Sequence, residues 1–283
     1  MRIVMMIGFL SVALAGIPAN GIHFDHVVAL GDSLFDDTAG TRSPVAAEHL
    51  ARVLGAPLTN LAQSGASSST LLSQGQHTSA AAQFGTGDLA LVWIGGNDFF
   101  QNSLPITFGS FGFLNTLQSN VNTAVTTLRS AGMEVVLFNL LDMSRVPLVQ
   151  NAGIGAANFR AASLQWRTRL QNLATAQGAS VVDVFTLFDE LVADPTDFSI
   201  LGHDPVLGPD YACTYCVFAD TIHPSSLSQG FVSNTAITLL NQVYDPMGAM
   251  PLNQLTHVEL ARLVGLLPGD FNTDGSYGIA DID

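Results

Sequence analysis

The sequence predicts an α/β fold with a central parallel sheet covered by helices on both faces. Three observations predict it. The runs Phe24–Leu30 (FDHVVAL), Leu89–Ile94 (LALVWI) and Glu134–Leu140 (EVVLFNL) are largely apolar without alternation, as strands buried on both faces are. Stretches of helical spacing separate these runs. Two of the runs stop at glycine, at Gly31 and at Gly95-Gly96, where a strand would feed a turn.

Taken in order, Phe24–Leu30 reads as the first strand. Ser43–Leu54 follows as a helix, with Ser43 as N-cap, Pro44 just inside it, apolar residues at Val45, Ala46, Leu50, Val53 and Leu54, and Gly55 as the stop. Leu89–Ile94 is a strand, Leu114–Leu128 a helix, Glu134–Leu140 a strand, Ala156–Ala176 a long helix and Ala179–Val184 a strand. A helix begun by Ser225 or Ser226 runs to Val243, and Asn253–Leu267 forms one short helix before Pro268-Gly269. Open parallel sheets bind ligands at the carboxyl ends of their strands. Ser33 and Asn97, each just past a strand, are therefore expected on one rim.

A chain of 283 residues, 48% hydrophobic, can bury one sizeable core and leave residues for appendages. It carries 9 Lys and Arg against 23 Asp and Glu, a net charge of −14. No basic run is present, which argues against nucleic acid and against an anionic membrane surface as partners. The acidity reads as solubility. Met1–Ala19 reads as a secretory signal: Arg2 is the positive n-region, Ile3–Ala15 is mostly apolar, and cleavage falls after Ala19 or Ala15. A buried strand or a retained anchor is the competing reading. The expected organisation is a signal peptide at 1–19, a main domain at 20–245, a linker with a short helix at 246–268 and a tail at 269–283, in a secreted protein. The two cysteines, Cys213 and Cys216, would pair in an exported chain and staple a loop. Cys-x-x-Cys also serves redox and metal sites, but this pair follows Gly208-Pro209-Asp210 and no second pair completes a zinc site.

Three separated segments supply what acyl transfer needs. A serine hydroxyl attacks only when a base takes its proton. Ser33 in Gly31-Asp32-Ser33-Leu34 is the candidate nucleophile, and His223 in Asp220-Thr221-Ile222-His223-Pro224 the candidate base. Asp220 is placed to hold Nδ1 of that imidazole, leaving Nε2 for Ser33. Asp32 and Asp98 also adjoin candidates, but they suit turn-fixing hydrogen bonds better. Donors for a developing oxyanion are the Ser33 N–H, the Asn97 amide in Gly95-Gly96-Asn97-Asp98 and the Gly65 N–H, where glycine would let the main chain approach the reacting carbonyl. Each segment alone is an ordinary turn; their joint presence in this order carries the reading.

These segments make the chain resemble the SGNH, or GDSL-type, hydrolase family over most of its length. The glycine block of that family, Asn-x-Ala-x-x-Gly, matches Asn60 to Gly65. The resemblance implies a flavodoxin-like three-layer α/β/α sandwich. It also implies a serine esterase or lipase that uses Ser33, His223 and Asp220, an oxyanion hole of Ser33, Gly65 and Asn97, and no cofactor for catalysis. The cysteine-bearing loop is similar to that of secreted bacterial members. In the tail, Asp270, Asn272, Asp274 and Asp281 fall at positions one, three, five and twelve of an EF-hand-type loop, with Gly275 at the turn and the Ser276 carbonyl at position seven. This resembles the first calcium loop of a type I dockerin, which implies Ca²⁺ and a cohesin-type scaffold partner. Gly278 offers no side-chain ligand, Asp281 replaces the usual Glu and a second repeat is missing, so a plain acidic tail is the alternative.

Phe35, Phe99 and Phe100 flank these segments and suit either an acyl pocket or the core. No arginine adjoins the segments, which disfavours strongly anionic substrates. The expected substrate is a small-molecule, lipid or carbohydrate ester. The alternatives are a carbohydrate O-deacetylase and a non-catalytic binding module on the same fold.

Overall fold

The computed structural model describes residues 21–36, 43–153, 155–209 and 215–265. Its centre is a five-stranded sheet of β1 (Val27–Gly31), β2 (Leu58–Asn60), β3 (Leu89–Trp93), β4 (Glu134–Phe138) and β5 (Ser180–Val182). The spatial order is β2-β1-β3-β4-β5, and every neighbouring pair is parallel. This is the flavodoxin-like order, whose direction reverses between β1 and β3 and opens a crevice there. Every residue of β1 and β3 is buried, which is why both read as unbroken apolar runs.

The helices are α1 (Ala46–Leu54), α2 (Ser68–Ser73), α3 (Gln76–Gln83), α4 (Gly96–Gln101), α5 (Ser103–Thr107), α6 (Phe113–Ser130), α7 (Pro147–Ala152), α8 (Ala156–Gln177), α9 (Val184–Ala193), α10 (Ser226–Tyr244) and α11 (His257–Leu263). On one side α1, α9 and α11 pack on α10; on the other α2, α3 and α8 pack on α6. A two-stranded sheet of β6 (Val206–Pro209) and β7 (Cys216–Phe218) precedes α10.

Several boundaries differ from the sequence reading for local reasons. Helix α1 starts at Ala46 rather than after Ser43, because the Glu48 carboxylate caps the Val45 N–H at 2.6 Å. Pro44 therefore stands outside the helix. Strand β5 stops at Val182, because the Asp183 side chain accepts from the Thr186 N–H and opens α9. Helix α11 is shorter than expected: it begins after Thr256, whose hydroxyl accepts from the Glu259 N–H.

Gly31 can be only glycine. Its φ is +145° and an added Cβ would lie 1.9 Å from the Trp93 carbonyl oxygen on the neighbouring strand. Beneath it Phe35, Trp93 and Phe138 form an aromatic cluster with ring centroids 5.1–5.5 Å apart. The stretch after Tyr244 is docked on α10. Asn234 exchanges two hydrogen bonds with the backbone of Leu255 (3.1 and 2.7 Å), and Asn241 does the same with Leu252 (3.0 and 2.8 Å). Leu255, Leu260 and Ala261 are buried in the core as a result.

Candidate active site

At the carboxyl end of β1 the chain makes a tight turn. The Asp32 carboxylate accepts the Leu34 N–H at 2.9 Å, and the Asp32 carbonyl accepts from Phe35 and Asp36 at 3.1 and 3.0 Å. Asp32 thus fixes the turn that presents Ser33 at the crevice between β1 and β3. The loop after β2 is tied to the same turn. Gln63 N–H donates to the Gly31 carbonyl at 3.1 Å, Ser64 N–H to Asp36 at 2.8 Å, and the Asn60 amide to the Phe35 carbonyl at 2.7 Å. Behind the turn, the buried amide of Gln76 takes the Gly31 N–H at 2.8 Å and donates to its carbonyl at 3.0 Å.

His223 stands on a closed loop between β7 and α10. Ala219 N–H donates to the His223 carbonyl and Ser225 N–H to the Val217 carbonyl, both at 2.9 Å. Across the loop mouth, Leu148 N–H at the start of α7 donates to the Thr221 carbonyl at 2.8 Å. Within it, one Asp220 oxygen accepts the Ile222 and His223 N–H groups at 2.7 Å each. The other lies 2.6 Å from His223 Nδ1, and His223 Nε2 lies 2.9 Å from Ser33 Oγ. A carboxylate only accepts, so Nδ1 carries the proton and Nε2 is left to accept from the serine hydroxyl. Burial works against the Asp220 charge, but the His223 ring and the two loop N–H groups outweigh it and hold its pKa below the ordinary value.

Asn97 sits in the first turn of α4, past β3. Its amide nitrogen donates to the Ala66 carbonyl at 2.9 Å, which orients the group and leaves a second N–H. Gly65 has φ +81°, and among the described residues its N–H is engaged in no hydrogen bond. An added Cβ would meet open space. The backbone angle by itself favours glycine here, and the space beside its Cα is clear of protein atoms.

Ser33, Asn97 and His223 line one narrow cleft, walled by Trp93, Phe100, Leu140, Leu141, Met143, Val146 and Ile222. Its volume is about 30 Å³, room for a water or two. Of the three phenylalanines that flank the sequence segments, Phe100 alone lines the cleft; Phe35 and Phe99 are fully buried in the core. The wall after β4 is held by Asp142, fully buried and paired with Arg160, which also grips Asp189 through two bonds of 2.9 and 2.8 Å. A larger groove of about 550 Å³ runs beside β5 and α10, but none of the candidate site residues lines it.

Cys216 is buried and disulfide-bonded, while Cys213 lies outside the described residues. So do Asp270, Asn272, Asp274, Ser276 and Asp281 of the calcium-loop reading, and the whole of Met1–Ala19. Two contributors escaped the sequence reading, the buried glutamines Gln76 and Gln229. A glutamine within a helix reads as surface, and no local signal marks these two.

Residues 29–229 match the GDSL-like Lipase/Acylhydrolase family, and the chain belongs to that family. No curated protein sequence matches it significantly. Among solved structures it is similar to a member of the lipolytic protein G-D-S-L family from Veillonella parvula, with a TM-score of 0.54, 15% identity, and coverage of 77% of this chain and 98% of that one. It is similar too to the acetylxylan esterase Axe2 from Geobacillus stearothermophilus, with a TM-score of 0.54, 15% identity, and coverage of 78% and 94%. Catalytic mutants of that esterase, at a serine, an aspartate and a histidine, are among the similar structures. At this identity the likeness shows the fold.

Proposed function

We propose that this protein is a serine carboxylic-ester hydrolase that acts through an acyl-enzyme and favours short acyl groups. The observation that carries the reading is the relay from Ser33 Oγ to His223 Nε2 at 2.9 Å and from His223 Nδ1 to Asp220 at 2.6 Å. Ser33 Oγ attacks the ester carbonyl carbon as its proton passes to Nε2. Asp220 stabilises the imidazolium. The oxyanion is met by the N–H groups of Ser33 and Gly65 and by the free amide N–H of Asn97. The C–O bond then breaks, and Nε2 returns the proton to the leaving alcohol. A water repeats the sequence on the acyl-enzyme and frees the acid.

The size of the cleft supports the preference for short acyl groups. A space of about 30 Å³ admits an acetyl group far more readily than a fatty chain. The same observation favours a carbohydrate O-deacetylase as the particular esterase, in keeping with the likeness to an acetylxylan esterase. Export through residues 1–19 and a tail at 269–283 built like a single dockerin calcium loop, with a cohesin-type scaffold as its partner, are part of the proposal on the strength of sequence alone.

The test is hydrolysis of p-nitrophenyl esters from acetate to long chains by the protein and by Ser33→Ala. We expect acetate to be preferred and the variant to be inactive. Undiminished activity in the variant would remove Ser33 from the mechanism. A rate that climbs with chain length would replace the short-acyl reading with a lipase.

A further inference from the structure

We propose that Gln229 is a positioning residue, whose carboxamide sets the height of the nucleophile turn against His223. The inference rests on the reading of Ser33 and His223 given above. Gln229 is fully buried in α10. Its Nε2 donates to the Leu34 carbonyl at 3.0 Å, and its Oε1 accepts the Ala46 N–H at the start of α1, also at 3.0 Å. Leu34 immediately follows Ser33. The bond to its carbonyl spans 195 residues of sequence and fixes the far end of the turn, as Gln76 fixes the near end through Gly31.

The loop that carries the base leads directly into the helix that carries Gln229. His223 stands just before the Ser225 N-cap of α10, and the first turn of that helix is locked to β7 by Ser228 Oγ donating to the Val217 carbonyl at 2.7 Å. Serine and imidazole thus hang from one rigid helix, one through Gln229 and the other through the cap. A planar amide with one donor and one acceptor at a fixed angle defines distance in a way that an apolar side chain of equal size cannot. Among the described residues Gln76 bonds Gly31 and Gln74 but no residue of α10 or of the His223 loop, so it steadies the turn without setting it against the base.

The chemistry of the amide supplies a discriminating test. In Gln229→Glu a protonated carboxyl keeps both bonds: its carbonyl oxygen accepts from Ala46 and its O–H donates to Leu34. The ionised carboxylate places a negative oxygen against the Leu34 carbonyl. Burial disfavours that charge, so the glutamate titrates above its ordinary range. Activity of the variant should fall as pH rises through that titration, a limb that the wild type lacks. Gln229→Met keeps the volume and loses both bonds at every pH.

The experiment measures kcat and KM for p-nitrophenyl acetate, and the rate of labelling by a serine-reactive phosphonate, against pH. It compares wild type, Gln229→Met, Gln229→Glu and Ser33→Ala, with folded protein quantified by far-UV circular dichroism. We expect Gln229→Met to lower kcat and labelling about 10- to 100-fold with KM within about twofold, as a misplaced nucleophile does. We expect Gln229→Glu to show the additional alkaline loss. Wild-type kcat in folded Gln229→Met, or a Gln229→Glu profile parallel to wild type, would overturn the positioning role while Ser33→Ala stayed inactive. Failure of both glutamine variants to fold would overturn it too, in favour of a purely structural role. Full activity in Ser33→Ala would instead overturn the esterase reading beneath it.

Discussion

Asp98 binds Ser68 twice, taking its N–H at 2.8 Å and its hydroxyl at 2.6 Å. Asn97 beside it donates to Ala66, so neighbouring residues of α4 clasp the chain that enters α2. Burial raises the Asp98 pKa, and the two bonds from Ser68 oppose that shift without cancelling it. Asp98→Ala should lower unfolding free energy by roughly 2–3 kcal/mol, the scale of hydrogen bonds to a buried charged group. It should also lower kcat by freeing Asn97. Urea unfolding beside steady-state kinetics checks both, and a variant as stable as wild type would show the clasp to be idle.

Asn97→Ala should lower kcat for acetyl esters by roughly 10²–10³ with little change in KM, as removal of an oxyanion donor does. A raised KM with unchanged kcat would make Asn97 a ground-state binding group instead.

Met143 and Val146 wall the cleft from the segment after β4. Truncating either to alanine should admit longer chains, and the ratio of kcat/KM for butyrate over acetate should rise about 10-fold, the worth of a methylene or two in an apolar pocket. A ratio that stays at the wild-type value would place the acyl group elsewhere.

His49 is buried on α1, and its pKa is lowered from 6.5 to about 4, chiefly by burial and secondarily by Arg52, against the pull of Glu259. The unfolded chain therefore binds a proton first. Stability is whole above about 6.5 and falls as pH drops towards about 4, by roughly 3 kcal/mol in all. His49→Leu should flatten that part of the stability profile between pH 7 and pH 4. Equal losses in both proteins would assign the acid sensitivity to other groups.

The strands of the sheet interior and the four segments around the site are legible in the sequence because each is short, local and set by one physical demand. Gly31 answers a clash with Trp93, and β1 and β3 answer burial on both faces. What escapes is tertiary. Strand β2 is three half-buried residues at the sheet edge, without an apolar run to announce it. The segment Val184–Ala193 follows β5 without a break, and its helical spacing of Val184, Phe185, Leu187, Phe188 and Leu191 and the Asp183 cap mark it as α9 only when read apart from the strand. Phe99 and Phe100 differ by one position, so the rotation of α4 alone decides which of them faces the cleft. Gln76 and Gln229 are specified by partners far away in the chain, and no window of neighbours reports them.

The contact between Ser33 and His223 closes over 190 residues. During vectorial synthesis, β1 to β5 and most of their helices leave the ribosome before the base does. A nascent chain can thus assemble its sheet while the serine is still without its base. On the proposed reading, the serine gains its base only once the His223 loop and α10 are in place.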